Sequence, residues 1–100
     1  MKMVPLCLLT VIAESVLKER LIADIRSTGA RGFTVTDADG EGSRQRRVGE
    51  ILGANIRIES IVSPEVADRL MQLIANEYFD HFAVIAYLSS VSVIRGDKYV

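Results

Sequence analysis

Hydrophobic and polar positions alternate along the chain with two different periods, and the changes of period mark out its elements. From Met3 to Ile12 the residues are mostly apolar, with Val4, Leu6, Leu8, Val11 and Ile12. Pro5 near the start suits a strand's beginning or an edge strand, so a first strand is predicted there. Glu14 and Ser15 open a segment in which Leu17, Leu21 and Ile25 recur at i, i+4 and i+8 among Lys18, Glu19, Arg20, Asp24 and Arg26, the stripe of an amphipathic helix. Gly29 follows the last turn and supplies the left-handed residue that commonly closes a helix.

Gly32 to Asp37 (Gly-Phe-Thr-Val-Thr-Asp) carries the aromatic and β-branched residues of a second strand. Apolar periodicity then disappears through Ala38-Asp39-Gly40-Glu41-Gly42-Ser43-Arg44-Gln45-Arg46-Arg47-Val48-Gly49-Glu50, which reads as a long loop. Asn55 to Val62 alternates again and predicts a third strand. Ser63-Pro64-Glu65 is a helix start: a capping hydroxyl, a proline at the first helical position and an acid favourable to the helix dipole. The helix should run to about Phe79 on a face of Val66, Leu70, Ile74 and Tyr78. Phe82 to Ile94 predicts a fourth strand, which could break at Ser89-Ser90, and Arg95 to Val100 is the tail.

The order βαββαβ is that of a ferredoxin-like α+β domain, with two helices on one face of an antiparallel sheet. A monomer leaves the other face to water, where each strand should alternate. Strand one and the run Phe82-Ala83-Val84-Ile85-Ala86-Tyr87-Leu88 are instead apolar at nearly every position. Further copies of the chain are therefore expected on that face, in an oligomer closed by symmetry.

Length and composition narrow the functional classes. One hundred residues allow a single small domain, 1–100, and 49% hydrophobic with 25% charged residues is globular composition. A net charge of −1 gives no global reason to bind nucleic acid or an anionic membrane, so an anion site must be local. The apolar opening is about half the ~20 residues a spanning helix needs, and no small-residue cleavage site follows it. The lone Cys7 cannot make an internal disulfide, which suits a reducing, cytoplasmic setting. The lone His81 leaves no His/Cys cluster for zinc and no pairing with a nucleophile. Cys7 reads as a core residue and His81 as a turn residue. Asp37, Asp39 and Glu41 read as solvated loop acids, and no metal site or catalytic residue is expected.

The loop is the informative segment. Gly40, Gly42 and Ser43 beside Arg44, Arg46 and Arg47 combine backbone N–H groups free to converge on an anion with guanidinium forks that match phosphate oxygens. It is neither a P-loop nor a dinucleotide fingerprint, because no Gly-Lys-Ser/Thr or third glycine opens a helix there.

Taken together, the chain resembles the PII and PII-like signalling proteins. The resemblance is carried by Gly32-Phe33-Thr34-Val35-Thr36 with Gly40-Glu41-Gly42-Ser43-Arg44-Gln45-Arg46, by Asn55 to Glu65, and by Ser92-Val93-Ile94-Arg95-Gly96-Asp97. It implies homotrimeric ferredoxin-like subunits, a mobile T-loop at about 38–54, and an adenine nucleotide in clefts between subunits. AMP and ADP are favoured over ATP, because Asp80-His81-Phe82-Ala83-Val84 stands where nitrogen-sensing PII proteins have a glycine-rich loop with a phosphate-binding lysine. No tyrosine lies between Ala38 and Gly53 for uridylylation.

The Gly-x-Gly-Ser-Arg-x-x-Arg form, met by Gly40, Gly42, Ser43, Arg44 and Arg47, is closer to PII-like proteins linked to inorganic carbon: SbtB-type regulators of bicarbonate transport and carboxysome-associated proteins. The resemblance thus implies a non-enzymatic regulator with phosphate held by Arg44 and Arg47, helped by Ser43 and the backbone at Gly42. Thr34 lies near the adenine, and Arg95 comes from an adjacent subunit's C-terminal loop. Bicarbonate is a second ligand by resemblance, and a bicarbonate transporter or carboxysome component is the partner, the former bringing a cytoplasmic protein to the membrane. Two rivals are a nitrogen-regulatory PII protein and a ferredoxin-like RNA-binding module, the latter disfavoured by the absence of aromatics on strands one and three.

Overall fold

A computed structural model describes residues 1–40 and 54–99. The elements run β1 (Met3–Glu14), a 3-10 turn (Ser15–Leu17), α1 (Lys18–Thr28), β2 (Thr34–Ala38), β3 (Asn55–Val62), α2 (Pro64–Glu77), β4 (Ile85–Ile94) and a C-terminal 3-10 turn (Gly96–Tyr99). The four strands form one sheet in the order β2-β3-β1-β4, antiparallel at every pairing. This is the ferredoxin-like α+β arrangement that the hydrophobic pattern predicts.

Strand β1 organises the sheet. Its residues Cys7 to Glu14 pair with Val62 to Asn55 of β3, and Met3 to Ile12 pair with Ile94 to Ile85 of β4. Successive side chains on a strand point to opposite faces. Leu9, Val11 and Ala13 therefore share one face with Ile56, Ile58 and Val62, and that face packs on Leu21, Ile25, Leu70 and Ile74 of the helices in the core. Cys7 is half-buried against this core, as its apolar neighbours predict.

Both helix ends follow the local chemistry of the sequence. Gly29 closes α1 at φ 119°, its N–H donating to Arg26 O (3.1 Å), while the Ala30 N–H donates to Ile25 O (3.2 Å). Only a residue without a Cβ takes that conformation at little cost. At the start of α2 the Ser63 hydroxyl accepts the Val66 N–H at 3.3 Å, with Pro64 in the first turn.

Several boundaries differ from the sequence pattern, four of them for an identifiable tertiary reason. β1 continues two residues beyond Ile12, because Ala13 and Glu14 still find partners in Ile56 and Asn55. The helix expected from Glu14–Ser15 starts at Lys18, since the Ser15 N–H donates to Ala54 O (2.8 Å) and holds the chain beside β3 for one 3-10 turn. β2 starts at Thr34, two residues after Gly32, whose carbonyl accepts the Ser60 hydroxyl (2.6 Å). β4 starts at Ile85, because α2 ends at Glu77 and the His81 and Phe82 N–H groups both donate back to Tyr78 O (3.2 and 2.9 Å), using residues 79–84 to turn. Ser89 and Ser90 do not break β4; they pair with Leu8 and Cys7.

The second face of the sheet carries Leu6, Leu8, Thr10 and Ile12 of β1, Glu59 and Ile61 of β3, and Ile85 and Tyr87 of β4, by the same alternation. The C-terminal turn packs against β1, and with it Leu8, Ile61, Lys98 and Tyr99 enclose part of this face. Ile85 (54%) and Tyr87 (40%) stay exposed. The apolar residues of β4 that the sequence pattern expects to be covered are thus uncovered in the single chain.

Candidate functional site

The turn from α1 into β2 builds an open cleft with a mixed polar and apolar lining. Gly29 ends the helix, and the Ser60 hydroxyl of β3 grips the Gly32 carbonyl, so Gly32-Phe33-Thr34 is held against β3 before strand pairing begins. Thr34 then lies directly opposite Glu59. Phe33 is half-buried with the Arg26 guanidinium 5.1 Å from its ring centroid, a cation–π contact that backs the ring from α1. The resulting cleft, about 380 Å³, is lined by Arg31, Phe33, Thr34, Glu59, Lys98 and Tyr99, among others.

Its electrostatics are mixed. Arg31 and Lys98 bring positive charge, Thr34 a hydroxyl, and Glu59 a carboxylate that pairs with Arg57 at 3.3 Å. Both partners of that pair are partly exposed, so it is a weak tie that a ligand can rearrange. A cleft of this chemistry suits a ligand that has hydroxyls or amines to donate, a flat apolar part and an anionic end.

Of the residues that the sequence singles out, Thr34 is at this cleft. Arg95 is elsewhere: at the end of β4 it adopts φ 60°, the left-handed region, and lines a separate cleft with Lys2, Ile94 and Asp97. Within one chain Thr34 and Arg95 do not share a cavity. Gly40 is exposed, and a Cβ built on it meets nothing within 4 Å. Gly42, Ser43, Arg44 and Arg47, with Gln45 and Arg46, lie outside the described residues. The structure adds Arg31, Phe33, Glu59, Lys98 and Tyr99. Of these, Glu59 was legible in principle as the acid directly across from Thr34 once β2 and β3 are aligned. Lys98 and Tyr99 carry no signal in the sequence, because only the fold returns the tail to β1.

His81 sits in the turn after α2, its ring edge-on to Phe82 with centroids 6.4 Å apart. Among the described residues, no group of three or more His, Cys, Asp or Glu is placed to hold a metal ion, and no helix is long and apolar enough to cross a membrane.

The sequence model of the family described as Nitrogen regulatory protein P-II matches residues 6–98. The chain belongs to the P-II family. Solved structures place this P-II protein more finely. It is 53% identical to a PII-like signalling protein from Thermus thermophilus, with a TM-score of 0.88 and each chain covered over 100% of its length. It is 25% identical to CPII from Thiomonas intermedia in a structure bound to ADP and bicarbonate, with a TM-score of 0.86 over 99% of this chain and 98% of that one. The GlnK–ATP complex of B. subtilis, 13% identical, shares the fold with a TM-score of 0.58 over 85% of this P-II chain and 82% of its own.

Proposed function

We propose that this P-II protein is a non-enzymatic PII-like signalling protein that binds an adenine nucleotide, AMP or ADP in preference to ATP, and regulates inorganic-carbon uptake or carboxysome function. The observation that carries the reading is the Thr34 cleft, part apolar, mixed in charge and opening beside β2, on a chain similar along its whole length to a CPII bound to ADP and bicarbonate.

In this reading the chain is one domain over 1–100, and the T-loop at about 38–54 supplies Gly40, Gly42, Ser43, Arg44 and Arg47 to the phosphates. Thr34 lies by the adenine. The site forms between subunits of a homotrimer, which accounts for Thr34 and Arg95 occupying different clefts of one chain: one cleft of each meets the loop of a neighbour. A homotrimer also covers Ile85 and Tyr87. Bicarbonate is the second ligand, and the partner is a bicarbonate transporter or carboxysome component met in the cytoplasm. Nucleotide contacts at the loop base select loop conformations and so expose or hide a partner surface.

The turn between α2 and β4 favours this reading over nitrogen control. Asp80, His81 and Phe82 fill it, with His81 and Phe82 tied back to Tyr78 O, and neither glycine nor lysine stands there for a second phosphate clamp. Calorimetry with AMP, ADP and ATP tests the proposal. Saturable binding of at least one is expected, with Arg44→Ala weakening it by about 1.5–3 kcal/mol, the range for a hydrogen bond to a charged group. No binding of any of the three, or a stable monomer by light scattering in place of three times the chain mass, overturns it.

A further inference from the structure

Two arginines of α1 lie over aromatic rings of segments that return to the helix. Arg20 stands over Tyr78 and Phe82, its guanidinium carbon 4.5 and 5.6 Å from the ring centroids, at the corner where α2 turns toward β4. Arg26 stands over Phe33, 5.1 Å from the centroid, where α1 turns into β2. Neither forms an ion pair among the described residues. The two rings differ in what they can reach. Tyr78 is fully buried and bonded to Asp24, so its ring meets nothing outside the chain. Phe33 packs against the core and also lines the Thr34 cleft, so its ring is open to a ligand there.

The last torsion of a phenylalanine is broad, and a ring at the mouth of a cleft presents one orientation only where its surroundings hold it. The core supports Phe33 on one side and the Arg26 guanidinium supports its face. Arg26 stays exposed in the last turn of α1, where its charge is favourable beside the free carbonyls of the helix end, and it does not line the cleft itself. A flat base that enters the cleft needs a ring in an offset-stacked or edge-to-face arrangement. Resting on the nucleotide reading above, we infer that Arg26 is a positioning residue of that site: it touches no part of the nucleotide and sets affinity for the base by holding the Phe33 ring. Its influence therefore passes through Phe33 and takes no account of how many phosphates follow.

Calorimetry on the full chain with AMP and ADP tests this, using Arg26→Ala, Phe33→Leu and the double variant. Arg26→Ala should weaken both nucleotides by the same factor, at least twofold and up to about fivefold, the size of an exposed cation–π contact. In the Phe33→Leu background the same change should have no further effect, because the ring it supports is gone. A loss that came through the helix would persist there, and a direct phosphate contact would act more strongly on ADP than on AMP. The comparison of AMP with ADP stands on Arg26→Ala alone, so it holds even if Phe33→Leu unfolds. If Arg26→Ala weakens binding less than twofold, weakens ADP more than AMP, or keeps its full effect in Phe33→Leu, the inference fails and the nucleotide reading stands. If the wild type binds neither nucleotide, the nucleotide reading itself falls, and this inference with it.

Discussion

The two faces of the sheet are made by the same strands and end in different states. On the helix side, alternate residues of β1 and β3 meet α1 and α2, and Leu9, Val11, Ile58, Leu70 and Ile74 are all buried. At the far corner of that side Tyr78 is fully buried, and its hydroxyl donates to Asp24 Oδ2 at 2.5 Å with the Arg20 guanidinium 4.5 Å from its ring centroid. The buried phenol thus finds its partner within the chain. On the other side, the buried Thr10 hydroxyl has no hydrogen-bond partner among the described residues, Ile85 and Tyr87 face outward, and a tail turn covers only part of the surface. The helices close the β1 and β3 rows of one face within a single chain, whereas Leu88 and Ile94 of β4 on that side and Ile85 and Tyr87 on the other stay exposed.

The sharpest way to break that contrast is a truncation on each side. Leu9→Ala, at a position with no exposure, removes buried methyl groups and leaves a cavity, and should destabilise the chain by about 2–5 kcal/mol in urea unfolding. Tyr87→Ala on the open face should leave the helix-side core as it is and act on assembly, shifting the mass seen by light scattering toward the monomer. If Tyr87→Ala lowers unfolding stability as much as Leu9→Ala while the mass is unchanged, the open face belongs to the folding core and the contrast is wrong.

A smaller effect is expected at the Tyr78 corner. Tyr78→Phe keeps the ring and deletes the donor, leaving the Asp24 carboxylate with one partner fewer, which should cost about 1–3 kcal/mol. The phenol is held well above its ordinary value of 10.0, first by burial and then by the Asp24 hydrogen bond and charge, with Arg20 partly offsetting them. Because the folded value is raised, this contribution is fully present below the unfolded value near pH 10 and is lost as pH rises toward the folded one. Wild-type stability should therefore fall in alkaline solution beyond pH 10 by more than that of Tyr78→Phe. Parallel curves for the two proteins would show that the buried phenol carries none of the alkaline loss.

The Ser60 hydroxyl links the two faces, since it belongs to the helix-side row of β3 yet holds Gly32 at the mouth of the Thr34 cleft. Ser60→Ala should cost about 0.5–1.5 kcal/mol of stability, the net worth of one hydrogen bond. Nucleotide affinity should drop severalfold with it, as Phe33 and Thr34 lose their support. Lost stability with unchanged affinity would confine Ser60 to the fold.

How legible each face was in the sequence follows from the same contrast. The helix side depends on local periodicity and on capping residues, so Leu21 and Ile25, Gly29, Ser63-Pro64 and the alternation from Asn55 to Val62 lead to the observed elements with boundaries off by two or three residues. The errors fall where a distant carbonyl decides, as Ala54 O does for Ser15. The open side depends on which segments return to it. Thr34 could be placed because a motif and a strand both point to it. Lys98 and Tyr99 could not, since nothing in Gly-Asp-Lys-Tyr states that the tail folds back onto β1. Arg95 is singled out by the resemblance of Ser92 to Asp97 to a C-terminal loop, and its backbone conformation is the feature that the sequence hides.

That conformation allows the finest test. A left-handed residue costs an L side chain roughly 1–2 kcal/mol, and glycine takes the same φ without the clash but with more freedom to lose on folding. At Arg95, where φ is 60°, the two effects of Arg95→Gly nearly offset, and unfolding stability should be unchanged or higher by about 1 kcal/mol at most. Arg95→Ala removes the same guanidinium while keeping the strained backbone, so it should be no more stable than the wild type. If Arg95 only aims the C-terminal turn, Arg95→Gly and Arg95→Ala both leave ADP affinity within twofold, because the Lys98 N–H still closes on the carbonyl of residue 95. If instead the guanidinium reaches phosphate across a subunit boundary, both lose affinity together, whatever happens to stability. Calorimetry on the two variants beside their unfolding curves separates the backbone of Arg95 from its charge.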